Sequence, residues 1–481
     1  MFEVSKNEIV DRLKFDNPWW EESSQTPVPF HDKPRRRYFP QLYAAISNKD
    51  VRRAVVLMGP RRVGKTVIVY QVINKLISEG VDRSRILYLS LETPIYTGLS
   101  LEQLLGYFVE IFQHGRGDGL YVFFDEVQYL KHWETHLKSL VDSFKEYKFT
   151  VTGSAAAALR MKSNESGAGR FTDFILPPLT FAEYLYFVGK ESDLISIESD
   201  DDERHYSTKN INLLNSEFID YLNLGGYPEA VFSKAIRDDP AQYIKSDIID
   251  KVLLRDLPSL YGISDIQELN KLFTTIAYNS GGEFSLENLS KSAGIAKNTI
   301  RRYLEYLEAA FLIRRVDRID NNARRFKRAV CFKIYLTNPS MRAALFGRLN
   351  ERSSAMGQMA ETAIFSQWQH SKVANLYYAR WPKGEIDIVR LGDAEQSPDW
   401  AVEVKWSDRM DVARSELDSC VEFCNAHPDM SSPMLVTTKT IDKRLDYKGV
   451  SFELRPSSLY AYILGANILR ALHRIHPMQD T

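Results

Sequence analysis

Two groups of residues in this chain have types and spacings that could do chemistry. The first is Gly59-Pro60-Arg61-Arg62-Val63-Gly64-Lys65-Thr66-Val67, which follows the apolar run Ala54 to Met58 and leads into a helical pattern. Gly59 and Gly64 let the backbone curl so that its N–H groups point inward, and a helix starting near Lys65 aims its positive end at the same cavity. A polyphosphate suits that environment, so ATP is the expected ligand of residues 59–67. The Lys65 ammonium would reach the β- and γ-phosphates and the Thr66 hydroxyl would sit on Mg²⁺. About sixty residues later the apolar strand Leu120 to Phe124 ends in Asp125-Glu126. There Asp125 would hold Mg²⁺ through water, and Glu126 would orient and deprotonate the attacking water. The next strand, from Tyr147, ends in the small polar residues Thr152-Gly153-Ser154. Either hydroxyl could sense the γ-phosphate, or the stretch is an ordinary strand exit with Ser154 as a cap. Arg170, on a glycine-rich loop expected between two strands, could neutralise charge on the transferred phosphoryl group, in cis or in trans.

The second group lies near the C-terminal end. Asn375 to Arg380, Gly384 to Val389 and Trp400 to Lys405 read as consecutive strands whose alternation puts Asp387, Glu403 and Lys405 on one face. Two carboxylates so placed make a site for Mg²⁺ or Mn²⁺, and a nearby lysine can hold and activate the attacking water. Glu361, on the preceding helical stretch, could be a further ligand. The competing reading is a set of salt bridges on a half-exposed sheet.

The elements that must position these groups follow from periodicity. With 481 residues, two to four domains are expected, and 44% hydrophobic with 12% aromatic residues suffices for packed cores. A net charge of −1 gives no global attraction to polyanions, so any nucleic-acid contact must be local. There is no apolar run of membrane-spanning length, and the first residues lack the basic start and apolar core of a signal peptide, so a cytoplasmic protein is expected. Cys331, Cys420 and Cys424 read as reduced thiols, the last two buried. Residues 1–37 form an N-terminal arm in which Trp19 and Trp20 either clip onto the next domain or stack on a nucleotide. Strands alternate with helices over 38–185, as a parallel sheet requires. Residues 186–268 are a helical lid or connector, with 190–210 expected to be an acidic, solvated loop. Within 269–345, Phe284 to Glu308 reads as helix, turn, helix. Lys291, Lys297, Arg301 and Arg302 there could track DNA phosphates, supported by the basic stretch Arg314 to Arg328. A protein-docking role for this segment stays open. Residues 346–481 hold the second chemical group.

Together these residues resemble a known family, the bacterial and archaeal AAA-like P-loop ATPases with a C-terminal winged helix and a restriction-endonuclease-like domain. The resemblance rests on Gly59 to Thr66, Phe123-Phe-Asp-Glu-Val-Gln128, Thr152-Gly-Ser154, Gly169-Arg170 before Leu176-Pro-Pro-Leu-Thr-Phe181, and Leu224-Gly-Gly-Tyr-Pro-Glu229. It implies an α/β fold in the order P-loop core, helical lid, winged helix and nuclease-like end. Asp387 and Glu403-Val-Lys405 resemble the PD-(D/E)xK core, although Ile386 stands where the proline would precede the aspartate. The function expected on these grounds is a Mg²⁺-dependent ATPase coupled to a nucleic-acid-binding domain with metal-dependent nuclease chemistry, DNA being the favoured partner. The alternative is a signalling ATPase whose inactive nuclease-like domain binds proteins. A homo-oligomer is compatible with either.

Overall fold

The computed structural model describes residues 5–21, 27–154, 169–200, 203–320, 323, 331–371, 375–392 and 397–475. The fold is α/β, with two compact units, Met1–Pro177 with Ala471–Thr481, and Pro178–Arg470.

The first unit is built on five parallel strands: β1 (Ala54–Met58), β2 (Ile86–Ser90), β3 (Tyr121–Asp125), β4 (Lys148–Gly153) and β5 (Phe171–Ile175), in the order β2-β3-β4-β1-β5. β1 and β3 are buried along their whole length, which is why they read as unbroken apolar runs rather than alternating ones. This order puts the C-terminal ends of β1, β4 and β3 side by side, and with them Gly59, Thr152 and Asp125.

The N-terminal arm covers the β2 edge of this sheet. Its helix, Lys6–Asp16, opens with a Ser5/Glu8 capping box. Asn17 then behaves as a short surrogate strand: its Nδ2 donates to the Tyr88 carbonyl at 2.9 Å and its Oδ1 accepts the Tyr88 N–H at 2.7 Å. Both indole N–H groups of Trp19 and Trp20 donate to the Ile86 carbonyl, at 3.3 and 2.8 Å. Trp20 also stacks on Phe108, with ring centroids 5.4 Å apart. The paired tryptophans are thus committed to sealing an edge strand.

In the second unit, residues 190–210 differ from the solvated loop expected. They hold a hairpin of β6 (Ile195–Asp200) and β7 (Glu203–Thr208), paired from Ile195↔Thr208 to Asp200↔Glu203. Acidic composition suggested a loop, but His205 stands opposite Glu198 across the pair, and the leading Ile195 is buried. Helices then fill 211–261, two turns of them π-helical over Ile244–Asp250 and Val252–Asp256.

The remaining strands are β8 (Gly282–Ser285), β9 (Ile313–Ile319), β10 (Cys331–Leu336), β11 (Leu376–Trp381), β12 (Gly384–Leu391), β13 (Pro398–Glu403), β14 (Met434–Thr438), β15 (Lys443–Tyr447) and β16 (Val450–Pro456). They form one mixed sheet in the order β15-β16-β14-β13-β12-β11-β9-β10-β8. The helices Ile266–Tyr278, Leu286–Ala293 and Lys297–Ala309 accompany β8, β9 and β10 as a helix-turn-helix with its wing. The wing is not a separate sheet: β9 pairs in parallel with β11 from Asp317↔Tyr377 to Ile319↔Ala379. Segments 269–345 and 346–481 therefore share their hydrogen-bond ladder. Phe181, Phe218, Tyr221, Phe365 and Tyr462 are in the core on one face, and Ile386, Phe423, Val436 and Phe452 in a second core cluster.

Candidate functional site

The loop after β1 has the backbone its glycines allow. Gly64 has φ 94°, and a Cβ on Gly59 would come within 2.2 Å of the Leu176 carbonyl oxygen, so neither position accepts a side chain without movement. Arg62 shares the left-handed conformation with φ 65°. Arg36, buried beneath the loop, donates to the Val63 and Pro177 carbonyls at 2.8 and 3.0 Å and braces it. The helix Lys65–Ser78 begins at Lys65, whose buried ammonium donates to the Gly59 and Pro60 carbonyls at 3.0 and 2.9 Å.

Three hydroxyls converge on Asp125 at the end of β3. Thr66 Oγ1 and Tyr88 OH each donate to its Oδ2 at 2.8 Å, and Thr152 Oγ1 donates to its Oδ1. Burial and the neighbouring Glu126 charge raise the Asp125 pKa, and the three hydroxyls oppose that rise. Thr152 also accepts the Glu126 N–H at 3.1 Å, so one hydroxyl fastens both acidic residues to β4. Glu126 itself sits in the left-handed region, φ 57°, with its carboxylate held by the Gln128 amide. The other end of that amide accepts the Ser154 N–H at 3.2 Å. Small hard oxygen donors beside a glycine-lined loop and a helix start are the donor set that Mg²⁺ with a polyphosphate requires. The residues present fit both.

Arg170 is not with this group. It immediately precedes β5, where its carbonyl accepts the Ala54 N–H at 2.9 Å, and its guanidinium pairs with Asp142 at 3.0 Å, exposed. Ala54 begins β1 and the phosphate loop follows Met58, so Arg170 stands about 13 Å, a strand's length, from the loop of its own chain. Strand direction makes the difference: a parallel partner entering β5 begins at the end remote from the loop.

Arg301 and Arg302, on the helix Lys297–Ala309, and Lys291 and Lys297 are all exposed; the two lysines share Glu287 at 3.1 and 3.6 Å, and the arginines donate to Asn298 and Tyr306. Of the basic stretch 314–328, Arg315 pairs with Glu308 at 2.6 Å and Arg318 donates to the Arg380 carbonyl at 3.0 Å. Residues 321–322 and 324–328 lie outside the described residues.

The second chemical group is assembled, but around a residue the spacing did not reveal. Asp387 is buried on β12, its Oδ2 accepting the Val404 N–H at 2.9 Å. Glu403 pairs with Lys405 at 2.6 Å, and Glu361 comes in from the helix Met356–Gln367. Among these stands Lys333 of β10, only 3% exposed, with its ammonium 2.9 Å from Glu361 Oε1, 2.7 Å from Glu385 Oε1 and 2.9 Å from Asp387 Oδ1. Tyr335 OH adds a 2.6 Å bond to the same Glu361 oxygen. Burial alone would depress the Lys333 pKa, but the charges of Asp387, Glu361 and Glu385 outweigh it and hold the ammonium protonated. Burial would likewise raise Asp387, but Lys333 and Lys405 bring its pKa below the usual carboxylate value. Glu361 is pushed up to about 7 and Glu403 to about 8, each by burial and then by the Asp387 charge. Among the described residues no group of three or more His, Cys, Asp or Glu side chains is arranged to hold a metal ion. The carboxylates of the expected ligand set are engaged in ion pairs, Glu361 and Asp387 with Lys333 and Glu403 with Lys405.

Lys333 carried a readable signal: a lone lysine within Cys331-Phe-Lys-Ile-Tyr-Leu336, two residues from Tyr335 and so on the same strand face. An ammonium in an apolar strand needs buried carboxylates around it. Tyr88, by contrast, had no spacing that tied it to Asp125, whereas Gln128 stands two residues after Glu126 in the run Phe123 to Gln128.

Residues 51–185 match an AAA domain, and residues 215–352 match a domain of unknown function (DUF8612). An uncharacterized protein of Haemophilus influenzae is 27% identical over 292 residues, covering 60% of this chain and 67% of the relative. One from Methanocaldococcus jannaschii is 24% identical over 375 residues, 73% of this chain and 77% of the relative. One from Mycobacterium tuberculosis is 25% identical over 379 residues, 77% and 74%. The chain thus contains an AAA-type ATPase domain joined to a region of unknown function. Among the described residues no helix is long and apolar enough to cross a membrane.

Proposed function

We propose that the first unit binds ATP with Mg²⁺ and hydrolyses it, and that the second unit answers this cycle as a binding domain without cutting nucleic acid. The observation that carries the ATPase reading is the convergence of Thr66, Tyr88 and Thr152 on Asp125 beside the glycine-bracketed loop. Residues 59–67 would receive the phosphates, with Lys65 exchanging its two carbonyl partners for phosphate oxygens. Thr66 and Asp125 would hold Mg²⁺, which when bound withdraws charge from the phosphate oxygens. Glu126 accepts the proton of the attacking water once the Gln128 amide releases its carboxylate. Thr152 keeps the two acidic residues in register throughout.

Steady-state phosphate release tests this. Lys65→Ala should abolish turnover, and Glu126→Gln should bind ATP and hydrolyse it slowly. Wild-type turnover in Lys65→Ala would remove the ATPase assignment.

For the second unit, the ammonium of Lys333 among the expected metal ligands favours the regulatory reading over a nuclease. Exposed Arg301 and Arg302 support a second reading in which this domain docks on nucleic acid through phosphate contacts. Protein partners and self-assembly remain the alternatives in that scheme.

A further inference from the structure

We infer that Lys333 is the resident cation of the carboxylate cluster in the second unit: its ammonium takes the place of a divalent metal and excludes one. Three carboxylates from two elements meet it at 2.7 to 2.9 Å, Glu361 from a helix and Glu385 and Asp387 from β12. Glu361 and Asp387 accept hydrogen bonds from the ammonium, and Glu385 adds an ion pair, so all three carboxylates face one buried cation. An ammonium supplies one charge and three donors, two of which go to Glu361 and Asp387 while its charge also serves Glu385. A divalent ion needs those same oxygens at shorter range and cannot share them with Nζ. The Tyr378 ring, 5.4 Å from Nζ, adds a further face that attracts a cation and cannot ligate a metal.

The arrangement also has a consequence for the fold. Lys333 belongs to β10 in the wing, whereas Glu385 and Asp387 belong to β12, beyond β9 and β11. The ammonium therefore ties the wing to β12 across two intervening strands, a tether that a diffusible ion could not provide. Lys405 is left to pair with Glu403 at 2.6 Å instead of positioning a metal-bound water.

This inference does not depend on nucleotide turnover, and metal binding by the full chain tests it. Mn²⁺ is titrated without nucleotide, and free ion is followed by its electron paramagnetic resonance signal in the wild type, Asp387→Asn, Lys333→Met, Lys333→Arg and the double variant Lys333→Met with Asp387→Asn. The wild type and Lys333→Arg should show no bound Mn²⁺ that Asp387→Asn removes. Lys333→Met should gain one Mn²⁺ per chain, lost again in the double variant, and its melting temperature should rise with Mn²⁺ where that of the wild type does not. Mn²⁺ bound to the wild type and lost on Asp387→Asn alone would overturn the inference, as would a folded Lys333→Met that takes up none. If Lys333→Met does not fold, the wild type and the single Asp387→Asn variant still decide it: Asp387-dependent Mn²⁺ refutes exclusion, and its absence upholds it.

Discussion

Replacing Thr152 with valine would remove one hydroxyl and keep the shape of the side chain, at a position that is 1% exposed. Two bonds go with it: the one it donates to Asp125 Oδ1 and the one it accepts from the Glu126 N–H at 3.1 Å. A lost bond to a charged acceptor and a poorly satisfied N–H together cost about 2–4 kcal/mol of stability in the first unit. The catalytic cost comes from position. Asp125 and Glu126 would each lose the contact that ties them to β4, and a loss of about 1.4–2.7 kcal/mol in the transition state lowers turnover about 10- to 100-fold. ATP affinity should change little, because no contact to residues 59–67 is removed. Thr152 is also the first of the hydroxyls holding down the Asp125 pKa, so its loss raises that pKa further and moves the acid limb of the turnover profile to higher pH. Phosphate release across pH, equilibrium binding of a fluorescent ATP analogue and thermal melts measure the three quantities. Turnover within about twofold of wild type, with the acid limb unmoved, would refute the claim that this hydroxyl aligns the acidic pair.

Arg170→Ala should leave turnover at low protein concentration within about twofold, because an exposed ion pair with Asp142 contributes little; a large loss there would contradict its placement remote from the loop. Arg301→Ala with Arg302→Ala should weaken nucleic-acid binding and flatten its salt dependence, measured by fluorescence anisotropy at several salt concentrations. An unchanged slope would leave this helix to protein docking. Glu403, with a native pKa of about 8 against an ordinary value of 4.5, binds its proton more tightly in the folded chain. Its contribution to stability is therefore complete below about pH 4.5 and is lost as pH rises through about 8. Glu403→Gln should remove that decline, so that the variant melts higher than the wild type at pH 9; a wild type that gains stability from pH 5 to 9 while the variant does not would reverse the assignment.

How much of this was legible in the residues alone differs between the two units, for a physical reason. In the first, the chemistry is local. Gly59, Gly64, Lys65 and Thr66 lie within one turn, and Asp125-Glu126 closes an apolar strand, so covalent neighbourhood determines which groups meet once a parallel sheet is assumed. The apolar runs at β1 and β3 also announced that both faces of that sheet are covered. What local pattern could not supply was strand order. Only the arrangement β2-β3-β4-β1-β5 puts Thr152 between Thr66 and Glu126, and only the parallel direction of β5 carries Arg170 away from them. In the second unit, alternation put Asp387 and Glu403 on one face, because a period of two is a property of any strand, while Lys405 lies just past the end of β13. The identity of their cation was decided by contacts over long sequence separations: Lys333 lies 28 residues from Glu361 and 54 from Asp387. The β9 to β11 pairing joins the wing to the larger sheet, and burial then forces the lysine and the carboxylates it meets to neutralise one another. Side-chain chemistry was written in the residues, but which charge satisfies which was settled by tertiary structure, since an ion pair in a dry interior depends on position and not on sequence distance.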